Sequence, residues 1–169
     1  MIYYPSIPIC EKILFPFIRE RMAKREPAPE YSFEREGLEK LQSVLEFMKN
    51  PHYSPALAKA AYLFCSVIDG HHFSNGNKRL AVALLTYFLI MNEFEIQAPQ
   101  LSSIQNILRQ AFSRLQWERV DSFSRPEEYF FYHLALVIAD RNQKGNLSFR
   151  QEQNLVRNLL GYIVKKRMR

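Results

Sequence analysis

The stretch Gly70-His71-His72-Phe73-Ser74-Asn75-Gly76-Asn77-Lys78-Arg79 runs without a break into Leu80-Ala81-Val82-Ala83-Leu84-Leu85-Thr86-Tyr87-Phe88-Leu89-Ile90-Met91-Asn92. The second part is apolar almost all round. A helix with so little polar face has nowhere to lie but inside, so the segment of about 76–92 is expected to be the buried centre of the fold. The first part is the opposite: dense in polar and cationic groups, and placed at that helix's start. The first N–H groups of a helix have no intrahelical partner, and its dipole puts partial positive charge there. Gly76 allows close backbone approach, and Lys78 and Arg79 add two charges. The physical reading is an anion site, for phosphate above all. His71, five residues before the glycine, is a candidate base for a group bound there.

Outward from this centre the pattern stays helical. Leu38, Leu41, Val44, Leu45 and Met48 share one face at 3.6-residue spacing and predict a helix over 35–49. Ser54-Pro55 reads as a cap with a first-turn proline, opening a helix that runs to about Asp69, with Gly70 placed to end it. Ser102 reads as the cap of a helix carrying Ile104, Ile107, Leu108, Ala111, Phe112 and Leu115. Ser124 with Glu127 reads as a capping box before 125–142, which Gly145-Asn146 ends, and Ser148 with Gln151 opens an amphipathic helix bearing Leu155, Val156, Leu159, Leu160 and Ile163. A short helix around 9–22, bent at Pro16, precedes a loop with Pro27 and Pro29. No segment alternates with period two, although a small β-hairpin flap near 25–34 or 94–98 is allowed. The class is all-α.

Composition narrows the function. With 47% hydrophobic residues and 13 Phe there is ample core for 169 residues, which excludes a disordered chain. Cys10 and Cys65 have no metal-ligand spacing and read as buried thiols. The net charge of +6 suggests nucleic acid until it is located. Residues 1–140 carry 15 Lys/Arg and 16 Asp/Glu, whereas residues 141–169 carry 8 and 1. The basicity is therefore confined to the tail, and no nucleic-acid partner is expected. The longest apolar run, Leu80 to Met91, is shorter than the roughly 20 residues a bilayer requires. No signal peptide is read, and the expected location is cytoplasmic, with no membrane partner.

His71-x-Phe73-x-Asn75-Gly76-Asn77-Lys78-Arg79 resembles the signature of the Fic/Doc (Fido) family, H-x-F-x-[D/E]-[G/A]-N-[G/K]-R, and Phe88 to Asn92 resembles the end of that family's central helix. The resemblance implies a Fido-type helical bundle, with residues 1–144 as the Fido domain and 145–169 as a basic C-terminal helical extension. It implies His71 as general base toward a Ser, Thr or Tyr hydroxyl of a target protein, and Phe73 as an anchor of the loop. Gly76, Asn77, Lys78 and Arg79 would cradle the phosphates of ATP, and position 75 would hold Mg2+. The implied function is transfer of phosphate or AMP from ATP to a protein, in a bacterial toxin or regulator, with an antitoxin or inhibitory helix as a possible partner. A mobile flap at about 24–35 would choose the target.

Three positions depart from the family pattern. Asn75 stands where the family has an acid; its carbonyl can ligate Mg2+ but brings no charge to a hard cation. Lys78 replaces the second glycine of AMP-transferring members, and Val82 a second arginine. The last two resemble the Doc (death-on-curing) type and phosphate transfer. Asn75 leaves a second reading, a Fido-fold nucleotide- or protein-binding module with weakened chemistry. Ser32 to Gly37 fits the family's inhibitory string [S/T]-x-x-x-E-[G/N], and Ser148 to Gln153 nearly does. His72 reads as exposed, His133 as a satisfied core or edge histidine rather than a ligand, and Trp117 to Arg119 as loop packing.

Overall fold

The computed structural model describes residues 1–23, 27–97, 100–112, 117–119, 125–140 and 147–167. Helices dominate them. They are α1 (Arg35–Phe47), α2 (Ala56–Asp69), α3 (Asn77–Met91), α4 (Leu101–Ala111), α5 (Pro126–Ala139) and α6 (Phe149–Ile163). Strands β1 (Phe94–Ile96) and β2 (Val164–Lys166) form an antiparallel pair. The all-α expectation holds.

α3 lies at the centre, as its sequence demands. Leu80, Leu84, Leu85, Phe88 and Leu89 are all 0% exposed. Burying each such side chain contributes about 1.5–3 kcal/mol. α2 packs most extensively on α3, and next on α6. Val156, Leu159, Leu160 and Ile163 of α6 join the same continuous core as α3. The C-terminal segment therefore packs into the body, and β2 pairs with β1 rather than projecting into solvent. Lys59 is buried; its Nζ donates to the Met48 carbonyl at 2.7 Å and the Asn50 carbonyl at 2.8 Å. It thereby satisfies carbonyls left over at the end of α1.

Several local expectations are corrected. The N-terminal helix begins at Ile7, not at residue 9, and alternates α-turns (Ile7–Ile9, Phe15–Phe17) with wider π-turns (Cys10–Leu14, Ile18–Met22). Pro16 has no N–H to offer an α-turn, and the π-turns bracket it. The cap position of α2 is Pro55 and that of α4 is Gln100; Ser54 and Ser102 cap neither. Ser148 does open α6, and with Gln151 it forms a full capping box. No hairpin flap forms at 27–34, which contains a 3-10 turn at Tyr31–Phe33. The strand near 94–98 does form, but its partner is β2, about 70 residues on, a non-local pairing that periodicity cannot signal. Ser124, Gly145 and Asn146 lie outside the described residues, as do 24–26 of the expected flap.

Candidate anion-binding site

Two apolar helices hold the loop between them. α2 ends at Asp69, and Gly70 continues in right-handed geometry. The left-handed residues are His71 (φ 42) and Gly76 (φ 74). A β-carbon at Gly70 would strike the His72 ring, which lies over it. Gly76 caps α3 from the left-handed region, and a β-carbon there would collide with the Tyr31 hydroxyl. Glycine is thus required at 76 by both its φ and its cover.

Asn77 fixes the loop. Its Oδ1 accepts from the Phe73 N–H at 3.0 Å, and its Nδ2 donates to the Phe73 carbonyl at 2.7 Å. Its side chain is therefore committed to shaping the turn, and its share in an anion cradle falls to the backbone. Phe73 is buried against Tyr31, edge to face at 5.0 Å, and near Phe15 at 6.4 Å. This is the anchoring role read from the sequence. His71 and Lys78 are exposed and Arg79 is half-buried.

Residues 27–34 lie across the loop as a strap, whose long-range contacts the sequence reading missed. The Tyr31 hydroxyl donates to the Gly76 carbonyl at 2.9 Å. Arg79 donates to the Pro27 carbonyl at 3.1 Å. The Glu34 carboxylate accepts from the Ser74 N–H and from the Ser74 hydroxyl, each at 2.7 Å. Burial pushes the Tyr31 phenol up to about 12, against the pull of Arg79 and with help from Glu34. It is therefore a hydrogen-bond donor, not an anion, at neutral pH. Of the inhibitory string, Glu36 pairs instead with Lys40 at 2.6 Å in solvent. Gly37 lets α1 approach the loop: a β-carbon there would sit 2.6 Å from the Phe73 ring and the His72 carbonyl. The glutamate of the near-match, Glu152, is buried.

His72 is not exposed, contrary to expectation. It is half-buried, and both ring nitrogens are sealed from solvent with no hydrogen-bond partner among the described residues. Burial, then the charge of Lys40, pushes its pKa below the usual value. His133 is a core residue as read: its Nε2 accepts from the Glu118 N–H at 3.0 Å, and its Nδ1 faces the Tyr129 carbonyl at 2.7 Å. Burial lowers its pKa as well.

Two open clefts flank the loop. One, about 360 Å3, is lined by Glu34, Arg35, Lys40, His71 and Ser74 among others. The other, about 450 Å3, runs from Lys78 to Trp117, Arg119, Tyr132, Leu136 and Asp140. Trp117 to Arg119 is thus more than loop packing; it walls a space that opens onto the motif lysine. Asn75 Oδ1 accepts from the Gly76 N–H at 2.6 Å. Among the described residues, no three His, Cys, Asp or Glu side chains gather to hold a metal. The neutral, already engaged oxygen of Asn75 is a poor fit for the Mg2+ that the motif implies.

The class defined so far is an all-α bundle whose buried central helix begins under a cationic, histidine-bearing loop. Residues 16–89 match the model of the Fic/DOC family. The matched span starts within the N-terminal helix, takes in the strap, α1, α2 and the loop, and ends two residues before α3 does. The all-α fold agrees with the Fido type. No curated protein and no solved structure matches the chain.

Proposed function

We propose that the chain is a nucleotide-dependent protein-modifying transferase that moves phosphate, or alternatively AMP, from ATP to a hydroxyl side chain of a target protein. The observation that carries this reading is the placement of exposed His71 at the mouth of a loop that ends on the first turn of α3, with Lys78 and Arg79 in that turn. The 450 Å3 cleft beginning at Lys78 offers room for a nucleoside next to the phosphate cradle. Its half-buried Trp117 and Tyr132 provide surfaces against which a base can stack.

In this reading His71 takes the proton of the acceptor hydroxyl as its oxygen attacks phosphorus. In the phosphate route the new bond is acceptor oxygen to the γ-phosphorus. The bond broken joins that phosphorus to the β–γ bridging oxygen, and ADP leaves. Lys78, Arg79 and the α3 amides stabilise the charge that spreads over the phosphoryl oxygens. Such a site suits a bacterial toxin or regulator, held in check by an antitoxin or by an inhibitory segment.

The test is incubation with candidate target proteins and ATP carrying label at the α or the γ position, with divalent cations supplied or withheld. Transfer of γ-label supports the phosphate route and transfer of α-label the AMP route. Transfer of neither removes the proposal. A second reading, a binding module with weakened chemistry, is favoured by the engaged, uncharged Asn75. There Asn75→Asp raises metal-dependent transfer well above wild type; equal activity in the two proteins excludes it.

A further inference from the structure

We propose that this chain takes up its nucleotide phosphate as the metal-free anion, with Lys78, Arg79 and the first turn of α3 doing the neutralising that a divalent cation would otherwise do. The inference rests on the nucleotide reading above and concerns how the same site is charged.

Three observations lead to it. First, the side chain at the metal position is a carboxamide, and its oxygen is turned onto its own neighbour, the Gly76 N–H, at 2.6 Å. The rest of the amide is an NH2 group. That is a donor, suited to an anion and unsuited to a hard cation, which binds through oxygen. Second, the carboxylate that reaches the loop, Glu34, comes from outside the motif. Both its oxygens are engaged, one by the Ser74 N–H and the other by the Ser74 hydroxyl. Mg2+ beside a nucleotide is held by only one or two carboxylates, and the motif from His71 to Arg79 supplies none. Third, the first turn of α3 carries two adjacent cations, and Lys78 is exposed to the cleft. A divalent cation beside them meets like charge, whereas a phosphate meets opposite charge and the positive end of the helix dipole.

The experiment is a calorimetric titration of ATP into the full chain, once in EDTA and once in excess Mg2+. The expected result is tightest binding in EDTA, with the apparent Kd raised by more than about threefold in excess Mg2+, which converts ATP to its metal complex, while Asn75→Asp weakens binding in EDTA by about tenfold and regains it with Mg2+. Wild-type binding that Mg2+ tightens, or leaves unchanged within about threefold, overturns the proposal and leaves the nucleotide reading standing. If Glu34→Gln then removes that gain, the metal is held by the strap, and the proposal is equally overturned. No binding in either buffer defeats the nucleotide reading itself, and this inference with it.

Discussion

The two ends of the central helix use the same device for different purposes. At its start, Asn77 exchanges two hydrogen bonds with the backbone of Phe73. At its finish, Asn92 does the same with Tyr3: Oδ1 accepts from the Tyr3 N–H at 2.9 Å and Nδ2 donates to the Tyr3 carbonyl at 2.8 Å. Nδ2 of Asn92 also reaches the Phe88 carbonyl at 2.8 Å. Each amide staples a passing chain to the helix. The difference lies in what is stapled. Asn92 is buried and holds the N-terminus to the core. Asn77 holds a turn that carries exposed His71 on one side and Lys78 and Arg79 on the other. Identical hydrogen-bond chemistry is structural at one pole and, in the proposed reading, organises chemistry at the other.

The largest expected effect breaks the comparison at its functional side. His71→Ala lowers label transfer by about 10²–10⁴-fold, the range typical of a lost general base. Because His71 is exposed, the unfolding free energy from urea titration stays within about 0.5 kcal/mol of wild type. A histidine needed only for packing would show the reverse pattern.

Next come the two staples, compared directly. Asn77→Ala and Asn92→Ala each leave backbone groups without their partner and each cost about 1–3 kcal/mol, read by chemical denaturation. Only Asn77→Ala should also weaken ATP binding, by about tenfold, measured by titration calorimetry. Equal loss of binding in the two variants would mean that the poles do not differ as described.

Gly76→Ala sharpens the same contrast at a single atom. Its left-handed φ and the overlying Tyr31 make the added methyl cost about 1–2 kcal/mol in stability. The matching substitution at Gly161, where nothing lies within 4 Å of a new β-carbon, should instead stabilise α6 by about 0.5–1 kcal/mol. Thermal melts of the two variants should therefore move in opposite directions.

The smallest effect is in pH. His133 is held neutral by burial, so its folded pKa lies below its ordinary value of 6.5. The unfolded state then binds a proton more readily than the folded one. The stability tied to neutral His133 is complete above about pH 6.5 and declines as pH falls below it, toward the lower folded pKa. Denaturation midpoints measured from pH 7.5 to 5 should fall less steeply in His133→Gln than in wild type. His72 is depressed in the same direction and leaves part of the slope in place.

Much of this was legible in order along the chain. Hydrophobic spacing located α1 and α3 to within two residues, because burial of one face, or of all faces, follows from local periodicity. The motif loop, its glycine and its cations were legible for the same reason, being contiguous. What escaped was contact across distance. Glu34 lies 40 residues from Ser74, Tyr31 lies 45 residues from Gly76, and β1 pairs with the far end of the chain. The caps at Ser54 and Ser102 were misread by one or two residues, since proline and glutamine took the cap positions without supplying a side-chain bond.

By itself, then, the sequence determined an all-α chain with a buried central helix and a cationic loop at its start, since residue types and spacing act locally. The tertiary structure alone decided that a strap closes over that loop. It also decided that the Glu34 carboxylate, rather than that of Glu36, reaches the loop. These are three-dimensional choices among groups of equal local propensity, settled by which backbones pack against each other.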